Sequence, residues 1–370
     1  MTFPSIKKNR PEIDSLTGIR AFASWWVVLY HLHGSIAKLI PGSERVLWIA
    51  HHGDMGVDLF FVLSGFVLAY NYHDAFPQVT GTSYFRFLWL RLARIYPVHC
   101  AGLAVWGMFL IANLVLKHSE VSQQFFGARA LLAQLLLVQS WSVPMVMSWN
   151  YPAWSISMEW LAYLAFPFLI RFVAKSTSVA APLFGLAVLG LGAPLLMTTP
   201  AGHFVRIGTE FTAGCLLYLL YSRGCGVRLP WGWISSLVFL FVVVAATQLG
   251  GWILPFLIIL VYSLTFNRGP AATICGSRPC VYLGRISYSV YIMHAAAITA
   301  CHVLLPLARF QESSFFVRSS VIEAYILTIA LSGVLAYHLV EEPCRRRMRK
   351  WFRPSGTSLT TQPESSLVAQ

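Results

Sequence analysis

The sequence predicts an all-α, polytopic membrane protein of about ten transmembrane helices, with a re-entrant or surface segment after the third. Three observations carry this. Of 370 residues, 57% are hydrophobic and only 11% are charged, with a mean hydropathy of +0.64; soluble domains are about a quarter charged. Apolar runs long enough to cross about 30 Å of hydrocarbon follow one another with short loops between them. Lys and Arg collect in alternate loops, as they do on the cytoplasmic side of membrane proteins.

These features exclude a soluble cytosolic enzyme, a disordered chain and a coiled coil. The net charge of +13 follows from cytoplasmic flanking residues and requires no nucleic acid as partner. The seven cysteines are scattered along apolar segments without a C-x-x-C pair, so neither a disulfide framework nor a metal site is expected.

The spans are placed at 19–38, 55–72, 95–116, 154–174, 178–198, 208–222, 231–248, 251–267, 281–304 and 318–340. The first follows Lys7, Lys8 and Arg10 but holds Trp25, Trp26, His31 and His33 and lacks a small-residue cleavage site. It reads as a retained anchor rather than a signal peptide. The apolar stretch 128–149 runs into the Pro-broken SWSVPMVMSWNYP. With a cytoplasmic N-terminus and no span at 128–149, only Lys38, Arg45, Lys117, Arg129, Arg206, Arg309 and Arg318 fall outside. A span there would move most of the positive charge to the outer side, against the rule. The segment is therefore expected to be re-entrant or to lie on the outer surface, where it is placed to roof a site. The chain divides into a cytoplasmic segment 1–18, a membrane domain 19–343, and a basic then disordered cytoplasmic tail 344–370, both termini being cytoplasmic.

Ionisable side chains at membrane depth are functional candidates by default. Arg20, Arg91, Arg94 and Arg285 lie near the cytoplasmic face, His31, Asp58 and Glu159 in the outer half, and His294 near the middle. Arg20 and His31 share one helix, about 16 Å apart along the axis and on nearly the same face. The bland alternative is a snorkelling arginine and a core histidine satisfied by a carbonyl. Arg91 and Arg94, three residues apart in RLAR, point the same way and suit a phosphorylated ligand; the alternative is a plain loop charge cluster. Arg94→Ala is expected to weaken that binding more than folding. Asp58 is either functional or a helix cap. Ser64-Gly65 leaves room for a close neighbour or an acyl chain. Glu159 lies beyond the capping turn and needs a partner, for which His31 is the candidate. Glu210 reads as a cap or packing partner. His31 and His294 could together ligate a haem, but nothing else supports electron transfer.

Taken together, Arg20-x10-His31, GVDLFFVLSGF, RLARIYP, WSISMEW, LGRISYSVYIMH and HLVEEPCRR, in this order from about Leu16 to Arg347, resemble the bacterial membrane-bound acyltransferase family 3 of the surface-glycan O-acetylase type. The resemblance implies an O-acyltransferase domain in the inner (cytoplasmic) membrane. It would move an acyl group, acetyl in the main reading, from cytoplasmic acyl-CoA to a hydroxyl of an envelope or exported carbohydrate or glycolipid. It further implies acyl-CoA (acetyl-CoA) as co-substrate with no bound cofactor, a donor site of Arg20, Arg91, Arg94 and Arg285, and His31 as the essential histidine. Asp58 or Glu159 would orient it, with Ser64 and His294 as further candidates. His31 acts either as a general base or through a transient acyl-histidine. The rival classes are a transporter or exporter of a glycolipid or small solute, which also uses buried charges and broken helices, and a non-catalytic sensor.

Overall fold

The computed structural model describes residues 10–117, 126–141, 148–196 and 202–351. All regular elements among them are helical: α1 Asp14–Leu39, α2 Met55–Tyr72, α3 Gly81–Lys117, α4 Ala128–Leu135, α5 Trp154–Ala174, α6 Ala180–Leu196, α7 Gly202–Ser222, α8 Trp231–Leu249, α9 Leu254–Leu264, α10 Gly269–Cys275, α11 Arg278–Leu304, α12 Phe315–Ala336 and α13 Glu342–Lys350, with short turns between. Residues 1–9 and 352–370, which include most of the expected tail, lie outside the described residues.

Each expected span falls on one of these helices. Among the described residues, five segments are long and apolar enough to cross a membrane, or six if the bent pair at Gly250–Leu264 and Gly269–Cys275 counts as one span. Rows of exposed apolar side chains spaced by three or four residues mark the faces turned to lipid: Phe184, Val188, Leu191 and Leu195 on α6, and Leu327, Leu331 and Leu335 on α12. A water-soluble protein does not display such rows, and the chain is an all-α membrane protein.

Two expectations change in detail. The third span was expected at 95–116, whereas α3 begins at Gly81, so Arg86, Arg91 and Arg94 extend the same helix rather than occupying a loop. The expected span 251–267 is a shorter helix, α9, followed by a bend of 79° into α10. Asn267 and Gly269 at the bend have positive φ, and Pro270 then starts α10 at a position where its missing N–H costs nothing.

The core gathers α1, α2, α5, α7, α9 and α11 around Trp26, Phe66, Phe166, Leu257 and Ile292. A second cluster, with Val28, Leu32, Val290, Tyr325 and Ile329, joins α1, α11 and α12. Small residues bring the backbones together. A Cβ on Gly65 of α2 would stand 2.0 Å from the Phe211 carbonyl oxygen of α7, and one on Gly214 would stand 2.1 Å from that of Val62. Gly65 thus receives a neighbouring helix, not an acyl chain. At the N-terminal end of α1, a Cβ on Gly18 would meet the Cys275 carbonyl, and one on Gly284 that of Thr17. This seats α1 tightly on α10 and α11, two residues before Arg20.

Of the stretch 128–149, residues 142–147 lie outside the described residues. The described part is the eight-residue α4, about 12 Å long and too short to cross a bilayer alone. It is pinned through polar side chains: the buried Gln134 amide donates to the Ser148 carbonyl at 2.6 Å, and that of Gln139 to Ala153 at 2.7 Å.

Candidate active site

In the C-terminal half of α1, His31 meets His294 of α11. His31 Nδ1 lies 2.9 Å from the Val27 carbonyl and 3.3 Å from His294 Nε2, while His294 Nδ1 lies 2.5 Å from the Tyr291 carbonyl. His294 is fully buried. The turn Tyr151–Ala153 sets the Tyr151 ring 5.1 Å from the His31 ring. That turn is tied to α11 through the Asn150 amide, which donates to Ile292 at 3.1 Å, and the Tyr291 hydroxyl, which donates to Pro152 at 2.9 Å. Because the histidines bond each other directly, no haem fits between them. Among the described residues no group of three or more His, Cys, Asp or Glu converges to hold a metal ion.

The carboxylates expected to orient His31 are engaged elsewhere. Asp58 accepts from Arg206 at 2.8 Å (Nε) and 2.7 Å (the terminal nitrogen), and that guanidinium lies over Trp154. Glu210 is fully buried beside this pair, within electrostatic reach of both members. Glu159 accepts from the Ser64 hydroxyl at 2.8 Å and from Tyr163 at 2.6 Å. The reason is depth and helix face. Asp58 on α2 points to α7, and Glu159 on α5 points down toward Ser64, so neither reaches the α1–α11 seam that holds His31.

Toward the N-terminal end of α1, arginines converge. Arg20 lies over the Phe60 ring, within electrostatic reach of Arg94, Glu159 and Glu341; its Nε has no hydrogen-bond partner among the described residues. Arg91 donates to the Tyr72 hydroxyl at 2.8 Å and lies over that ring. Arg94 is paired at 2.5 Å with Glu341, which is fully buried and also accepts from Ser289 at 2.6 Å. A π-helical stretch, Tyr337–Glu341, links α12 to α13 and delivers Glu341 into this position; π-bulges are frequent at functional sites. Helix α13 docks on α3 by stacking Trp351 on Trp89, and its Arg345 and Arg349 come up beside Arg94 and Arg91.

Two of the expected donor arginines have partners of their own. Arg94 is the nearer cation of a buried carboxylate whose other one, Arg345, stands 3.8 Å away, so its removal would leave that charge poorly compensated and disturb the fold more than first expected. Arg285 pairs with Glu12 at 3.1 Å and lines a separate pocket of about 250 Å³ with Asp14, Arg278 and Tyr282. Arg206, Glu341, Arg345 and Tyr151 stand beside the expected residues without having been singled out from the sequence; Glu341, Arg345 and Tyr151 lie in or next to the motifs, whereas nothing near Arg206 pointed to it, since these partners come from distant helices.

A family model described as an acyltransferase domain matches residues 13–337. The chain belongs to acyltransferase family 3. This acyltransferase resembles the acyltransferase MdmB of Streptomyces mycarofaciens, at 27% identity over 94% of this chain and 95% of that protein. It also resembles the O-acetyltransferase OatA of Staphylococcus aureus, at 24% identity over 92% of this chain but only 58% of that longer protein. No solved structure matches this family 3 chain. Its class is that of an O-acyltransferase.

Proposed function

We propose that the protein carries an acyl group, acetyl in the simplest case, from cytoplasmic acyl-CoA to a hydroxyl of an envelope or exported carbohydrate. The observation behind this reading is that one helix, α1, joins an arginine cluster at one end to a histidine pair at the other. Guanidinium groups suit the phosphates of a CoA-type donor, and in this reading Arg20, Arg91, Arg345 and Arg349 receive them. The thioester would reach up along α1 toward His31, about 16 Å from Arg20.

The step balances as follows. His31 takes the proton of the acceptor hydroxyl while the oxygen attacks the thioester carbonyl. The C–S bond breaks, and the leaving thiolate takes the proton back from His31, giving an ester and free CoA. The accompanying topology is ten spans in the cytoplasmic membrane with both termini inside, so that α4 and the turn at Tyr151 cover the outer mouth.

The test is transfer from labelled acetyl-CoA in membranes holding wild type or His31→Ala, with extracted envelope glycans as acceptors. Label reaching glycan only with wild type is expected. Gradient-driven solute flux in proteoliposomes without acyl product would overturn the reading. Trapping a labelled protein adduct at His31 would replace direct transfer by a two-step path.

A further inference from the structure

We propose that His294 is the positioning residue of His31. It holds the imidazole with its proton on Nδ1, leaves Nε2 as the reactive nitrogen, and fills with a neutral ring the place a carboxylate holds in other base–orienter pairs. This rests on the acyltransferase reading above.

The argument follows the acceptors. A carbonyl oxygen only accepts, so His294 Nδ1, 2.5 Å from the Tyr291 carbonyl, must carry a proton. In the neutral ring, Nε2 of His294 is then an acceptor. His31 Nδ1 faces two groups, the Val27 carbonyl at 2.9 Å and that His294 Nε2 at 3.3 Å. Both are acceptors, so His31 Nδ1 must carry the proton as well and is shared between them. The reverse arrangement would set lone pair against lone pair at the Val27 carbonyl. What remains is His31 Nε2, which has no hydrogen bond among the described residues, on a ring that is only partly buried. It is unprotonated and open to a substrate hydroxyl.

The same chain explains how His31 tolerates a proton during the reaction. Once Nε2 is protonated, the Nδ1–H becomes a stronger donor, and His294 Nε2 presents a lone pair to it. Both Nδ1 atoms and His294 Nε2 keep their partners in both states, and only His31 Nε2 is left to the substrate. None of the ion pairs among the described residues involves either ring, so the proton is not trapped by a buried acid and can return to the leaving thiolate.

Two substitutions separate positioning from packing. His294→Gln keeps an oxygen acceptor near Nε2, and His294→Leu keeps bulk without one. With labelled acetyl-CoA, His294→Leu is expected to lower kcat about a hundredfold, the size of a general-base contribution, with donor KM changed less than about twofold, while His294→Gln recovers most of the loss. In parallel, nitrogen NMR of ¹⁵N-histidine protein in detergent should place the His31 proton on Nδ1 in wild type and give a tautomer mixture in His294→Leu. A wild-type proton on Nε2 overturns the proposal, as does His294→Leu with unchanged kcat or His294→Gln as impaired as His294→Leu. If wild type transfers no acyl group although the spectrum shows the Nδ1 proton, the acyltransferase reading fails while the positioning of His31 stands.

Discussion

Arg91 and Arg94 are one helical turn apart and differ in what they hold. Arg91 meets a neutral tyrosine hydroxyl, so Arg91→Ala removes donors without stranding a charge. Its expected effect is a rise in donor KM of roughly ten- to a hundredfold, from the loss of about 1.5–3 kcal/mol of charge-assisted bonding, with Tm nearly unchanged in a detergent melt. Arg94 meets the buried Glu341. Arg94→Ala should cost about 3–5 kcal/mol of stability, visible as a lowered Tm or loss of solubilised protein, and Arg94→Ala combined with Glu341→Gln should recover part of it. If the single Arg94 substitution melts like wild type, the pair is not structural. Residue types and depth could be read along the chain, because charge at membrane depth is rare. Partners could not. Asp58 finds Arg206 148 residues away and Arg94 finds Glu341 247 residues away, and no local spacing reports such pairs.

Among the elements, α2 and α7 cross closely, because Gly65 and Gly214 each admit the other helix's backbone. Gly214→Val would force the helices apart and carry Asp58 and Arg206, on the same two helices, out of register. The expected cost is about 1–3 kcal/mol or more, measured as a lower Tm with a proportionate loss of transfer. A variant of wild-type stability would mean that the crossing is looser than this. The helices themselves were legible from apolar runs, since a backbone in hydrocarbon must satisfy its own hydrogen bonds. The early start of α3 was not, because its first turns are amphipathic and carry charge. Nor was the break after α9, which depends on Gly269 lying against Gly232 of α8.

At the scale of the whole molecule, the proposed topology puts the loop after α11 outside and the loop after α7 inside. In a chain with its seven cysteines replaced, Glu312→Cys should react with an impermeant maleimide on intact cells, and Arg228→Cys only after permeabilisation; the opposite pattern would invert the topology. Composition and apolar periodicity by themselves determined the membrane class and the helices, because the bilayer acts on each segment separately. The ordered motifs added the family. Only the tertiary structure decided that His31 rests on another histidine rather than an acid, that Asp58 and Glu159 turn to other helices, and that the π-helical stretch and α13 return Glu341, Arg345 and Arg349 to the arginine cluster. Those are choices among side chains that lie at the same depth but are far apart in sequence. Helix rotation and close glycine contacts settle them, and both arise only when the bundle packs.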